Sequence, residues 1–121
     1  MSVWTWLGVA VLGGVAANAR FLLDALVSAR SGGRLPLGTF VVNVSGSLAL
    51  GLLSGLALSG SALVLAGTAA LGSYTTFSTW MLETQRLVED ARVRAALLNV
   101  LVSIVVGVAA VALGRTIGAH A

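Results

Sequence analysis

The chain has 121 residues, of which 58% are hydrophobic and 9% are charged, and its formal net charge is +3. A soluble domain carries about 25% charged residues, so this chain has too little charge to cover a water-exposed surface, and we expect it to lie in a membrane. It has no cysteine, which excludes disulfides and thiol chemistry. Its basic residues are seven scattered arginines, a pattern typical of membrane-flanking charge rather than of a nucleic-acid surface.

Four apolar stretches approach the roughly 20 residues that a helix needs to cross a bilayer. They predict helices at about residues 3–26, 36–58, 62–82 and 94–113. The first stretch has no basic residues before it and is too long for a signal peptide, so we interpret it as a retained helix. The predicted fold is an all-α integral membrane domain of four transmembrane helices, covering residues 1–121. The segment ETQRLVEDARVR before the fourth helix is amphipathic and is predicted to be an interfacial helix.

The arginines predict an orientation. Four spans place both termini and the turn between the second and third helices on one side, which carries only Arg115; Arg20 falls within the first apolar stretch and is left out of the count. The two loops on the opposite side carry five arginines: Arg30, Arg34, Arg86, Arg92 and Arg94. The positive-inside rule then places both of these loops in the cytoplasm and both termini outside.

Small residues spaced by four recur along the helices: Ser47, Gly51 and Gly55; Gly13 and Ala17; Ser103 and Gly107. In lipid such stripes let helix backbones approach closely, and we interpret most of them as packing faces. Four helices are too few to enclose a polar pathway, so we expect at least a dimer.

Polar residues nevertheless recur inside the apolar stretches. Thr39, Asn43 and Ser47 share one face of the second helix, and Asn99 and Ser103 share a face of the fourth. At membrane depth such residues usually face the bundle interior or a water-filled path. A Ser or Thr hydroxyl can instead bond its own helix, but an amide such as that of Asn43 cannot satisfy itself in this way.

The stretch GSYTTFSTW, residues 72–80, is the most polar part of the third helix, with six hydroxyl side chains. GSYTT is a poor helix sequence, and it predicts a break near the middle of the helix. Irregular backbone at membrane depth must be buried in protein or line a cavity, and freed carbonyls of broken helices can hold Na⁺. The stretch therefore indicates an ion site made of backbone and hydroxyl groups.

The residues available near this stretch favour an anion as the transported ion. Asp24 and Glu83 lie near helix ends, and no carboxylate lies at mid-span, where a cation path would need one. The remaining groups are amide and hydroxyl donors and the edges of Phe77 and Trp80, which carry the positive side of the ring quadrupole. Such donors suit a small, hard anion that accepts hydrogen bonds.

Three motifs in order carry a family resemblance: GGVAANARF (13–21), GTFVVNVSGS (38–47) and GSYTTFSTWMLE (72–83). With them, the chain resembles the Fluc (CrcB) fluoride channels over nearly its full length. The resemblance implies a subunit of an antiparallel dimer with two narrow pores between the subunits, in the cell membrane. It implies passive export of fluoride, which lowers fluoride toxicity in the cytoplasm.

The resemblance also implies roles for individual residues. The fluoride pore would be formed by Asn43 as a donor, Phe77 and the aromatic at position 80 through their ring edges, a hydroxyl track of Ser78, Thr79 and Ser103, and Glu83 near the mouth. The carbonyls of Gly72 and Thr75 would hold a structural Na⁺ at the dimer interface. Arg20 matches the family's arginine near the end of helix 1 and would be an anchor.

The chain departs from the family pattern at three points. Trp80 replaces the second phenylalanine of TTFSTF; it would bind the anion through its N–H, narrow the pore or mark a pore that no longer conducts. Ser73 replaces a second glycine. The five-to-one arginine bias also differs from the weak bias of homodimeric members, so we expect a fixed orientation and an oppositely oriented paralogue as partner.

Two other functions are weighed against a fluoride channel. A small multidrug-resistance type exporter needs a carboxylate within helix 1, and here none precedes Asp24. A non-conducting scaffold or partner subunit would explain the small-residue stripes but not Asn43. We do not expect an enzyme, because the only histidine, His120, lies in the tail and no nucleophile–base pair or phosphate loop is present.

Overall fold

The computed structural model describes residues 1–121, which form helices and turns without a β-strand. Three long helices are α1 (Val3–Ser31), α2 (Leu37–Gly55) and α6 (Val93–Ala119). The polypeptide between α2 and α6 is made of shorter pieces: α3 (Gly60–Leu63), a π-helix (Val64–Leu71), α4 (Gly72–Tyr74) and α5 (Ser78–Glu89).

The helices end where the backbone geometry changes rather than where the apolar stretches end. Helix α1 continues past the predicted boundary at 26 to Ser31, and it stops at Gly32, whose φ of 82° is left-handed. Helix α2 is shorter than the predicted 36–58, because Pro36 flanks it and Ala57 turns the chain with φ 55°. Hydropathy marks the thickness of the bilayer, whereas a helix ends where its hydrogen bonds end.

The last two helices also differ from the predicted bounds. Helix α6 covers 93–119 instead of 94–113. The segment predicted as a separate interfacial helix is instead the second half of α5, as far as Glu89. A tight turn follows, in which Ala91 has φ 60° and the Arg92 N–H donates to the Leu87 carbonyl at 2.8 Å.

Three helices are long and apolar enough to cross a membrane: Val3–Ser31, Leu37–Gly55 and Val93–Ala119, with mean hydropathies of 1.5, 1.6 and 2.6. The third predicted span, 62–82, is not one continuous α-helix, because its helical hydrogen bonding changes register at 64–71 and stops at Thr75.

Helices α2 and α6 pack closest, through glycines on both. A Cβ added at Gly51 would overlap the Val111 carbonyl, and one added at Gly114 would overlap the Leu48 carbonyl. The sequence-predicted stripe at Gly51 and Gly55 is therefore a packing face. On α6 the close contacts come from Gly114 and Gly118, which were not predicted.

One chain has almost no core of its own, since only 11 of its 121 residues are buried. Large apolar side chains cover the outside; on α6, for example, Val105 and Val108 are each 66% exposed. These surfaces need lipid or another subunit to cover them.

Candidate functional site

The site lies where the backbone leaves the helix between α4 and α5. Thr75 is extended, with φ −81° and ψ 159°. Asn43 on α2 holds the next residue, because its Nδ2 donates to the Thr76 carbonyl and its Oδ1 accepts from the Thr76 N–H, both at 2.8 Å. The Asn43 amide thus satisfies two backbone groups that the interrupted helix leaves free.

Further contacts fix the interruption against α2. The hydroxyls of Tyr74 and Ser45 share a hydrogen bond of 2.9 Å. Gly46 is buried, and a Cβ there would overlap Cγ2 of Thr75. Only glycine lets α2 approach this closely, so the motif around Asn43 is shaped to receive the interrupted segment.

The carbonyl oxygens of Gly72, Ser73 and Thr75 accept no hydrogen bond from the N–H groups of residues 75–77 or from that of Thr79. The N–H groups that would normally reach Gly72 are used elsewhere: that of Thr76 bonds Asn43, and that of Thr75 bonds the Leu71 carbonyl at 3.0 Å. Uncommitted carbonyl oxygens are suitable ligands for a hard cation. The two residues assigned to Na⁺ by resemblance therefore fit such an ion chemically.

A groove of about 390 Å³, here called the interruption groove, opens beside these groups. Its lining combines polar groups of α2, the interrupted backbone and two aromatic rings: Asn43, Ser47, Gly72, Thr75, Thr76, Phe77 and Trp80. Five of the sequence-predicted site residues are thus brought to one groove.

A second groove of about 770 Å³, here called the α6 groove, shares Asn43, Ser47 and Trp80 with the first and adds Ser103 and Gly107 of α6. The Ser103 Oγ is buried and has no hydrogen-bond partner. A buried hydroxyl without a partner is costly, so Ser103 has hydrogen-bonding capacity for a ligand. Asn43 and Trp80 lie at the junction of the two grooves.

The two aromatic residues meet edge to face. The ring centroids of Phe77 and Trp80 are 5.8 Å apart, with an interplanar angle of 80°. Phe77 is 69% exposed although it lies beside polar groups. Its ring is therefore accessible to a ligand in the interruption groove.

The remaining predicted residues lie outside both grooves. Glu83 accepts a short hydrogen bond from the buried Thr39 hydroxyl, and it lines a separate polar cavity of about 300 Å³ together with Arg34, Arg86 and Arg92. Arg20 is half-buried, and its Nε has no partner.

Ser78 and Thr79 begin α5 and line neither groove, and Ser78 is exposed. The Thr79 N–H is not free to bind a ligand, because it donates to the Thr76 Oγ1 at 3.2 Å. This bond caps the start of α5.

Sequence reasoning did not single out Thr76 and Thr84. Thr76 is held by Asn43 and caps α5, while Thr84 bonds both Trp80 and Asn99. For Thr84 a signal was present: it lies four residues after Trp80 and therefore on the same face of a helix.

Comparison with known proteins identifies the family of this chain. The chain matches the family model described as CrcB-like protein, Camphor Resistance (CrcB), over residues 7–115. It is 56% identical over 114 residues to the fluoride-specific ion channel FluC 2 of Mycolicibacterium paratuberculosis, covering 94% of this chain and 93% of the relative.

Two further relatives are similar along most of their lengths. The fluoride-specific ion channel FluC 2 of Mycobacterium tuberculosis (strain H37Rv) is 50% identical over 117 residues, covering 97% of this chain and 93% of the relative. The fluoride-specific ion channel FluC 1 of Symbiobacterium thermophilum is 41% identical over 120 residues, covering 94% and 97%. Because the family model and these relatives match nearly the whole chain, the protein belongs to the CrcB family.

Proposed function

We propose that this chain is a subunit of a fluoride-selective channel that lets fluoride leave the cell passively and so lowers its toxicity in the cytoplasm. The chain is a multi-pass protein of the cell membrane, in keeping with its three long apolar helices and its family. The observation that carries the proposal is the junction of two grooves at Asn43 and Trp80, in a chain whose relatives are named fluoride-specific ion channels.

Neutral donors supply the anion path. Asn43 donates one of its two amide hydrogens to the Thr76 carbonyl, so the other is available to the ion. Ser103 supplies an unpaired hydroxyl, and Phe77 and Trp80 supply ring edges. These groups can replace the water around a small anion without binding it as tightly as a fixed positive charge would.

The other residues implied by the resemblance extend the path. Ser78 and Thr79 line neither groove of the single chain and would continue the hydroxyl track along α5 in the assembled channel. Glu83 lies toward a pore mouth, in a cavity lined by arginines and Asp90. Arg20 would be a structural anchor near the end of the first predicted apolar stretch, and its guanidinium Nε is unpaired within the chain.

A second subunit completes the pore. The grooves are open on one side, and one chain buries few of its residues. An antiparallel partner would close each groove and bring the corresponding pair of its own carbonyls to the dimer interface, opposite those of Gly72 and Thr75. These carbonyls would hold a structural Na⁺, which supplies positive charge and joins the two interrupted segments.

The partner is an oppositely oriented paralogue rather than an identical copy. Five arginines on one side against one on the other favour a single orientation in the membrane, and an antiparallel dimer then needs a chain with the opposite bias. Relatives whose names are numbered 1 and 2 support the existence of more than one such chain.

Fluoride efflux from liposomes tests this function. Purified protein is reconstituted alone and with a candidate paralogue, and external fluoride is followed with a selective electrode. Passive efflux with the paralogue and little without it is the expected result. Equal efflux from the chain alone would contradict the heterodimer, and absence of efflux from both samples would contradict the channel. Efflux of a cationic drug driven by a proton gradient would instead support an exporter.

A further inference from the structure

Trp80 is joined to the polypeptide around it at both its side chain and its backbone. Its indole N–H donates to the Asn99 carbonyl on α6 at 3.4 Å. Its own carbonyl accepts from the Thr84 hydroxyl at 2.8 Å, and that hydroxyl in turn accepts from Nδ2 of Asn99 at 2.8 Å. The three residues therefore form a closed ring of hydrogen bonds, here called the Trp80 ring, between α5 and α6.

The ring determines what Trp80 can offer to an ion. Tryptophan has one N–H donor and no other polar atom. Because this donor is directed to Asn99, the side chain presents carbon edges and a ring face to the two grooves that it lines. In this respect Trp80 acts as a large phenylalanine rather than as an additional donor.

The ring also fixes the orientation of the indole. The edge-to-face contact with Phe77 constrains one side of the indole, and the hydrogen bond to the Asn99 carbonyl constrains the other. Thr84 and Asn99 are half-buried and line neither of the two grooves that Trp80 lines; Asn99 lines a third cavity, of about 220 Å³, together with Ser103. Their polar groups reach Trp80 only through this ring.

We infer that Thr84 and Asn99 are positioning residues for the ion path. The Thr84 hydroxyl, bonded to the Trp80 main-chain carbonyl and to the Asn99 side chain, holds α5 against α6, so that the indole N–H meets the Asn99 main-chain carbonyl and the indole edge faces the ion. The inference rests on the proposed channel function. It explains how a tryptophan can stand where the family pattern has a phenylalanine without adding a donor to the pore.

Substitutions at Thr84 test the inference, since valine removes the hydroxyl with little change of shape and serine keeps it. We expect Thr84→Val to lower fluoride efflux about three- to tenfold, in proportion to the energy of a hydrogen bond between membrane helices, and Thr84→Ser to change it less than about twofold. Thr68→Val is the matched control, because Thr68 is exposed and makes no hydrogen bond through its side chain.

A second background separates positioning from general stability. In a Trp80→Phe protein there is no indole to hold, so Thr84→Val should change efflux by less than about twofold. If Thr84→Val lowers efflux equally in both backgrounds, Thr84 acts on the fold and the inference is wrong.

Trp80 fluorescence tests the hydrogen-bond ring without any measurement of fluoride flux. It therefore distinguishes failure of this inference from failure of the proposed channel function. In a protein carrying Trp4→Phe and Trp6→Phe, Trp80 is the only tryptophan. Thr84→Val should shift its emission and change its near-ultraviolet circular dichroism, and Thr84→Ser should not. Unchanged spectra for Thr84→Val would overturn the inference whether or not the protein conducts.

Discussion

Asn43 both holds the interrupted backbone and lines the two grooves. Its amide satisfies both the N–H and the carbonyl of Thr76, so it stabilises the interrupted backbone, and it lines both grooves. The sequence indicated that this amide needed a partner, because a helix can accept a bond from an asparagine N–H, as it does at Asn18, but its interior N–H groups are already bonded and leave no donor for the amide oxygen. It did not indicate that the partner is backbone.

Asn43→Ala should lower fluoride efflux by about tenfold or more, because it removes a donor from the path and leaves two backbone groups of Thr76 unsatisfied at about 1–3 kcal/mol each. Liposome efflux measures the effect. Asn18→Ala is the control, since the Asn18 amide is exposed and bonds only the Gly14 carbonyl of its own helix. Efflux that is unchanged in Asn43→Ala would remove Asn43 from the path.

At the scale of helices, the contact between α2 and α6 depends on glycine more than on the polar residues. Small residues were evident in the sequence, but their partners were not, since a spacing of four describes one helix and not the helix against which it packs. The structure pairs Gly51 with Val111 and Gly114 with Leu48.

Gly114→Ala should destabilise the protein although alanine favours a helix. Its Cβ would overlap the Leu48 carbonyl, which belongs to backbone and cannot turn aside, and we expect a loss of about 1–3 kcal/mol. Gly14→Ala should be neutral or stabilising by up to about 1 kcal/mol, because nothing lies within 4 Å of the added Cβ. Thermal unfolding in detergent compares the two; equal midpoints would contradict this account of the contact.

At the scale of the whole molecule, the proposed Na⁺ would link the interrupted segments of the two subunits of the proposed dimer. Exchanging Na⁺ for choline at constant ionic strength should lower the thermal stability of the dimer, since a ligand that binds only the assembled state stabilises it by about 2.7 kcal/mol at a concentration of 100 times Kd. The midpoint should rise with Na⁺ concentration. A midpoint independent of Na⁺ would argue against a resident ion at Gly72 and Thr75.

Orientation is also a property of the whole molecule. A reporter that is active only in the cytoplasm should give no signal when fused after Ala121, and full signal when inserted between Gly32 and Gly33 in the first loop. The reason is the five-to-one distribution of arginines. Signal from both fusions would show dual insertion and would favour a homodimer.

The sequence by itself determined the membrane class, the helical fold, the approximate position of each apolar segment and the motifs that indicate the family. These follow from composition, length and short-range spacing. Only the tertiary structure decided where the helices end, that Asn43 closes on Thr76, that Gly114 meets Leu48 and that the Trp80 N–H is already bonded to Asn99. Each of these depends on which surfaces of distant segments meet, and a pattern along one chain does not specify the direction of a side chain toward another helix.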